Sequence, residues 1–590
     1  VLRTITWIVL AIVRDEASPD SDIGPVDFIW RSLMRTLDPG TMGGDEGWAF
    51  RILMLIVTIG GLIIVASLIG IVSGAFDSKI EELRKGRSRV LEHEHTLILG
   101  WNSKIFSIIH ETAVANESRG RAHIVVLADR DKVEMEDEIR AGAGKLGRTV
   151  VICRTGDPMS LHDLAIASPQ TARSIILLAP EGSADPDADV IKTALALTNG
   201  PDRPAGGFHI VGELADPSNL EVAKLVGRDE AHWVIGPELI GRITVQSCRQ
   251  SGLSVVYQEL LDFDGDEIYI SEQAELVGAT YSDAQLRFDD CTAIGIVSGE
   301  SVLVNPPGDT VIAAGDRVIV IAEDDSTIRL GERRTPTTSA IVDRAPAPAD
   351  PERTLVLGIN TGLVSMLREL DEYVAPGSTV HIVAQRKAIE IPEFENLTTT
   401  WQRADATKRA VLDALDPASF DHIIVLADTT EHDQQRADSR TLVTLLQLRD
   451  IADRGGHDLN IVSEMLDDGN RELAEVTEAD DFIVSDKLVS LVLAQIAENR
   501  ELTAVFDTLF SSAGSEIYLS PAEQYVDLGV EVDMTTIIGA AQRRGETAIG
   551  FRLAADAHTA AKQYGVRVNP AKSERVRFAD GDRVIVLAEG

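Results

Sequence analysis

A membrane α-helical module followed by two tandem α/β units, each ending in a small α+β subdomain, is the fold class this sequence predicts. Three observations predict it. The run "ILMLIVTIGGLIIVASLIGIVSGAF" from Ile52 to Phe76 carries no charge. The sequence after about residue 90 occurs twice. Within each copy, short wholly apolar runs alternate with amphipathic stretches.

The opening "VLRTITWIVLAIV" would reach only about 20 Å as a helix, too short to span a bilayer. It reads as the last part of a membrane helix that starts before Val1; a signal-peptide core is the alternative, but no small-residue cleavage pattern follows it. The Ile52–Phe76 run extends roughly 37 Å, enough to cross a hydrocarbon core of about 30 Å with some tilt. A basic connector with Lys79, Arg84, Lys85, Arg87 and Arg89 follows it, whereas Asp15, Glu16, Asp20, Asp22 and Asp27 precede it. The excess of positive charge places the C-terminal end in the cytoplasm. Between the apolar segments, "GPVDFIWRSLMRTL" (24–37) suits a short helix with Pro25 in its first turn. A glycine-rich loop comes next. Helix end, short helix, loop and full span form the layout of a re-entrant pore loop, in which irregular backbone lines water or packs on protein. The short helix would aim its carbonyl end at the conduction path and favour cations.

The repeat is legible by eye. "HTLILGWNSK" (95–104) matches "RTLVLGINTG" (353–362), and "HIVGELADPSN" (209–219) matches "NIVSEMLDDGN" (460–470). "GDRVIVIAE" (315–323) returns as "GDRVIVLAE" (581–589). The expected division is a pore module at 1–89, a first unit at 90–332 and a linker at 333–353. The second unit then occupies 354–590. In the first copy the runs "TLILG", "HIVVLA", "TVVIC", "SIILLA", "HIVGE" and "WVI" read as strands of a parallel sheet buried on both faces, a Rossmann-like arrangement over 90–236. Crossover helices (237–262) and a β-rich subdomain (266–325) complete it. The second copy repeats this as a Rossmann-like part, 354–484, and crossover helices with a C-terminal subdomain, 485–590.

The dinucleotide fingerprint is absent. The turns after the first strands read Gly100-Trp101-Asn102-Ser103-Lys104 and Gly358-Ile359-Asn360-Thr361-Gly362, with Asn where a glycine would admit a pyrophosphate. Asp129 follows strand two in the first copy, but Gln385 and Arg386 stand there in the second. NAD is not expected, and the turn residues read as structural. Ligand-binding candidates at this point are Gly100, Asn102, Asp129 and Asp131. Asp129, Asp131 and Glu134 in "DRDKVEMEDE" could hold a hard divalent ion, against the commoner reading of a solvated helix face. "EHEH" at 92–95 reads as exposed connector rather than a metal site. No nucleophile elbow, P-loop or catalytic constellation is found, so the chain is not expected to be an enzyme.

The 590 residues carry a formal net charge of −39, which excludes nucleic acid as a partner because phosphate binding needs a basic surface. Cys153, Cys248 and Cys291 lie far apart, as in a reducing compartment. Arginine-rich, alanine-rich composition points to a GC-rich bacterial genome and hence a bacterial plasma membrane.

"LRKGRSRVLEHEHTLILGWNSK" (83–104), "ANES" (115–118), "VVLADRDKVEMEDEI" (125–139) and "VICRTGDP" (151–158) resemble the Castor/Pollux channel family, known from the plant nuclear envelope and with bacterial relatives. The likeness runs from about residue 25 to 590, and the tandem units look like RCK domains. The resemblance implies a homotetramer in the lipid bilayer, conducting monovalent or divalent cations and gated at a cytosolic ring by Ca²⁺. The family's x-Asp-x-Gly filter core falls on Leu37-Asp38-Pro39-Gly40, followed by Thr41; Leu37 and Pro39 depart from the small residues of the plant members. The TVGYG of potassium channels is missing. Gly60 and Gly61 could form a gate hinge or a close helix contact. A nucleotide-binding RCK-type regulatory subunit of a potassium transport system is the alternative. A membrane-anchored NAD-dependent oxidoreductase is disfavoured by the broken fingerprint in both copies.

Overall fold

Sidedness is the first thing the apolar run decides. In the computed structural model it lies within one helix, α1 (Trp48–Arg84). Ile56, Ile63, Ile64, Ile69 and Phe76 of this helix are all exposed, and only 6% of its most apolar stretch is buried. A core helix would be buried; among the described residues, Thr58–Phe76 is the one stretch long and apolar enough to cross a membrane. The structure describes residues 48–590 except 85, 118, 202, 300, 346–349, 429–433, 458, 476–480, 511–513, 558 and 590. Of the first 47 residues it describes Val26, Trp30, Leu33 and Met34, all helical. Leu37, Asp38, Pro39, Gly40 and Thr41 lie outside the described residues. The chain divides into two units, Val1–Ser88 and Arg89–Gly590.

In the larger unit the first sheet comprises β1 (His95–Leu99), β2 (His123–Ala128), β3 (Val150–Thr155), β4 (Ala172–Leu177), β5 (Ile210–Leu214) and β6 (Ala231–Ile235). Their order is β3-β2-β1-β4-β5-β6, all parallel. Alternate residues point to opposite faces, so Leu97, Leu99, Val125 and Leu127 enter one core while Ile98, Ile124 and Val126 enter the other. Both faces need apolar cover, which is why the strands read as continuous apolar runs. The cover comes from α2 (Ile105–Ala115), α3 (Lys132–Gly142), α4 (Pro186–Thr198) and α5 (Leu220–Gly227). Then follow α6 (Gly236–Arg249) and α7 (Leu253–Leu261). An antiparallel sheet of β7 (Glu267–Ser271), β8 (Thr292–Ser298), β9 (Ser301–Val304) and β10 (Arg317–Ala322), ordered β7-β10-β8-β9, ends the copy.

The second copy repeats the order. β11 (Arg353–Leu357), β12 (Ser378–Ala384), β13 (Leu397–Arg403), β14 (His422–Val425), β15 (Ile461–Met465) and β16 (Asp481–Val484) form a parallel sheet ordered β13-β12-β11-β14-β15-β16. Its helices are α8 (Leu363–Tyr373), α9 (Arg409–Leu415) and α10 (Gln434–Gly455), then α11 (Ser485–Glu498) and α12 (Leu502–Leu509). β17 (Ser515–Pro521), β19 (Thr547–Arg552), β20 (Val566–Val568) and β22 (Arg583–Glu589) make the closing sheet. It is flanked by α13 (Met534–Arg543) and by the pair β18 (Glu531–Asp533) and β21 (Arg575–Arg577).

The copies are built into each other. α6 packs on α8 of the second copy, and α11 packs on α2 of the first. One hydrophobic core therefore runs through both, with Ile105, Ile109, Ile240, Met366, Leu488 and Val492 in a single cluster. α6 passes close to α8 at Gly241, where a Cβ would lie 3.4 Å from the Met366 backbone, an ordinary van der Waals contact. Residues 337–344 lie along the second copy's terminal subdomain. The Thr337 amide donates to Thr536 Oγ1 at 3.0 Å and the Val342 amide to the Tyr525 carbonyl at 2.9 Å.

Candidate functional site

The carboxyl ends of β1 and β4, between which the strand order reverses, are where an open α/β sheet binds its ligand. Here Gly100 has φ +103°, and a Cβ on it would sit 1.9 Å from the Leu178 carbonyl oxygen. Gly358 repeats this with φ +107° and 2.4 Å to the Leu426 carbonyl. Close passage of the two chain segments, not a phosphate, demands glycine at both turns. Asn102 is engaged at both ends of its amide: Nδ2 donates to the Ala179 carbonyl at 3.2 Å, and Oδ1 accepts the Lys104 amide at 3.1 Å. Trp101 is 4% exposed and fills the first crevice, edge-on to Phe106, with the Arg130 guanidinium 4.9 Å from its ring centre. In the second copy, Gly358, Ile359, Gln385, Thr407 and Arg440 line a cavity of about 40 Å³, room for a water molecule.

The acidic trio does not assemble. Asp129 is exposed. Asp131 caps α3, its Oδ1 accepting the Val133 and Glu134 amides at 2.8 and 3.2 Å, and Glu134 is an exposed first-turn acid that favours the helix N-terminus. Among the described residues no group of three or more His, Cys, Asp or Glu side chains is placed to hold a metal ion. The metal reading of these three residues is therefore corrected: the Asp131 carboxylate serves helix amides.

"EHEH" is also corrected. His95 is not an exposed connector residue but the first residue of β1, fully buried, and burial lowers its pKa. The connector before it is fastened to the first copy. The Val90 amide donates to the Ile166 carbonyl, Ser168 Oγ to the Val90 carbonyl, and the Glu94 amide to the Thr171 carbonyl, each at 2.8 Å. α1 continues unbroken through Gly60 and Gly61. A Cβ on Gly60 would meet no atom within 4 Å, so packing within this chain does not require glycine there.

What the sequence reading missed is the joint between the copies. Lys104, at the end of the first turn, lies 3.0 Å from Glu213 at the end of β5 and 3.2 Å from Asp486 in the first turn of α11. Burial alone would lower the Lys104 amine, but the two carboxylates outweigh it and hold the pKa above the ordinary value. Arg242 of α6 grips Glu369 of α8 through two hydrogen bonds, at 2.5 and 3.1 Å. In the terminal subdomains Asn305 Oδ1 accepts from Thr547 Oγ1 at 2.7 Å, and reciprocally Asn569 Oδ1 accepts from Thr292 Oγ1 at 2.8 Å. The repeated "TAIG" and "VNP" were visible signals for that exchange. Nothing local paired Lys104 with Asp486.

Known proteins agree with this architecture. A family model described as Castor and Pollux, part of voltage-gated ion channel, matches residues 237–338. The chain is 34% identical over 614 residues to the probable ion channel CASTOR of Oryza sativa subsp. japonica, covering 96% of this chain and 68% of that protein. It is likewise 34% identical to the ion channel CASTOR of Lotus japonicus, covering 95% and 70%. Among solved structures, the human SLO3 gating ring superposes with a TM-score of 0.57 at 13% identity, over 84% of this chain and 98% of that one. That likeness establishes a shared fold of paired α/β units. Both plant relatives are named ion channels, a function without catalysis. With a third of its residues identical across nearly its whole length, the chain belongs to the Castor and Pollux family of ion channels.

Proposed function

We propose that the chain is one subunit of a homotetrameric cation channel whose pore, built from α1 and the loop around Asp38, is gated by a cytosolic ring of paired RCK units. The observation that carries this reading is the covalent join of an exposed apolar span to a duplicated gating-ring fold. A soluble regulatory subunit of a potassium transport system, the competing reading, has no use for such a span. The filled crevice at Trp101 and the small cavity beside Ile359 also favour a ring that does not bind NAD.

Self-assembly has its own support. Leu195 on α4 and Val222 on α5 are 47% and 53% exposed. Their counterparts in the second copy, Leu446 and Leu473, are 52% and 62% exposed. Apolar residues left open at matching positions of both copies suit a surface covered by neighbouring subunits. Leu195→Asp combined with Leu446→Asp should convert the detergent-solubilised tetramer to smaller species by native mass measurement. A tetramer surviving both changes would place the contacts elsewhere.

Ca²⁺ is the effector this reading adopts. With no three-ligand group in the described part of one chain, its ligands would include main-chain oxygens or a neighbouring subunit. Millimolar Ca²⁺ should raise the melting temperature of the tetramer by several degrees, because a ligand that binds only the folded state stabilises it. No rise at saturating Ca²⁺ would remove it as effector. Planar-bilayer currents with and without Ca²⁺ on the ring side test the function as a whole.

A further inference from the structure

The joint between the copies borders a cavity of about 540 Å³, a size that suits an organic ligand rather than a bare ion. Phe106, Ser107, His110 and Glu111 of α2 form its first-copy wall, because side chains three and four apart share a helix face. The end of α3 keeps that wall clear. A Cβ on Gly142 would press to 2.8 Å from the Phe106 ring, and Gly144, at φ +66°, brings no side chain toward His110. The second copy supplies Leu466, Asp467 and Asp468 after β15, and Asp486 and Lys487 of α11.

The carboxyls on this cavity are unevenly balanced. Asp486 is paired with Lys104 at 3.2 Å, and Lys487 stands 3.9 Å from both Asp468 and Asp262. Two carboxyls, one from each copy, have no cation of their own among the described residues. Glu111 is 3% exposed; its Oε2 accepts the Phe263 amide at 3.3 Å, and its Oε1 makes no hydrogen bond among the described residues. Asp467 accepts from the Gly469 amide at 2.9 Å and from Gln435 Nε2, both neutral donors. His110 adds an acceptor. Its Nδ1 lies 3.2 Å from the Ala143 carbonyl, which can only accept, so in the neutral ring Nδ1 carries the proton and Nε2 is left to accept. Negative charge and open acceptors therefore stand beside the apolar surfaces of Phe106 and Leu466. Burial, with Asp262 and Asp264 adding to it and Lys487 opposing, pushes Glu111 up to about 8.

We propose that this cavity binds an aliphatic polyamine, with one ammonium at Glu111, a second at Asp467 and the methylene chain along Phe106 and Leu466. An ammonium gives the open Glu111 oxygen a charge-assisted hydrogen bond, and the methylenes cover the apolar wall. Two carboxyls set apart on one cavity select a molecule with two separated charges, which a metal ion does not offer. Because Glu111 and Asp467 belong to different copies, a polyamine holding both ties α2 to the turn after β15. The net charge of −39 concentrates polyvalent cations around the chain. Binding here depends on neither the pore nor the Ca²⁺ effector.

Equilibrium dialysis of the full chain in detergent against labelled spermidine tests this, at about pH 8.5 so that Glu111 is ionised. One spermidine per chain is expected. Glu111→Gln and Asp467→Asn should each weaken binding by about tenfold, the usual share of one charge-assisted hydrogen bond. Asp309→Asn, which removes an exposed acid outside the cavity, should leave it unchanged. Butylamine, with a single ammonium, should bind about tenfold more weakly than spermidine. Ser107→Phe fills the cavity from a half-buried position without changing charge, and should abolish binding. No retention of spermidine overturns the site. So do equal losses in all three acid variants, unchanged binding by Ser107→Phe, or displacement by an equal concentration of Ca²⁺, each of which would reduce the effect to general attraction of cations.

Discussion

Lys104→Met should lower the unfolding free energy of the 89–590 body by about 3–5 kcal/mol, the usual loss when one partner of a buried ion pair is removed. The side chains of Lys104, Glu213 and Asp486 are 15%, 19% and 19% exposed, so water does little to screen them. Methionine keeps most of the length, which limits the cavity and isolates the charge. What remains is two carboxylates facing each other across the seam between the copies. Asp486 keeps hydrogen bonds from Ser103 Oγ and Gln434 Nε2, but neither donor carries a charge. Adding Glu213→Gln and Asp486→Asn to Lys104→Met should recover most of the loss, because the triple variant buries no charge at this point. Denaturant unfolding at pH 7 measures both steps. A loss below about 1 kcal/mol for Lys104→Met would put the triad in the class of solvated surface pairs and leave the joint to its apolar core.

Asp38→Asn should have the largest functional effect. In a tetramer four Asp38 carboxylates surround one axis. At about 5 Å in water each favours a passing monovalent cation by about 0.8 kcal/mol, so four together raise local occupancy by roughly a hundredfold before screening. Removing them should cut unitary conductance at low salt by about tenfold and bring reversal potentials under a salt gradient toward zero. The deficit should shrink at high ionic strength, where screening already weakens the ring. Unchanged currents and reversal potentials across that range would mean that Asp38 does not face the pore. Selectivity among cations is read from bi-ionic potentials of the unmodified protein.

Much of the fold was legible because burial on both faces of a parallel sheet leaves an unmistakable apolar run. "TLILG" and "TLVLG" mark the central strands β1 and β11 for this reason. β13, "LTTTWQR", carries no such run. It is an edge strand in which one buried and two half-buried residues alternate with exposed ones, and the pattern of a two-faced core does not extend to it. His95 misled in the opposite direction: a histidine among glutamates reads as surface, yet the first position of a central strand lies beneath both layers. The acids at 129–134 were legible as acids, but only the helix that begins at Lys132 explains the Asp131 carboxylate.

The sequence by itself determined the elements, their repetition and the family, since these depend on local periodicity and on motifs confined to short segments. Tertiary structure alone decided what those elements do to each other. Lys104 and Asp486 stand 382 residues apart in the sequence and Arg242 and Glu369 stand 127 apart, and no periodicity links either pair. They meet because each copy places its crossover helix on the first helix of the other. The same exchange decides which buried carboxyls receive a cation from the other copy. Charge pairing across a joint depends on distance in space, which the order of residues along the chain does not encode until the chain has folded.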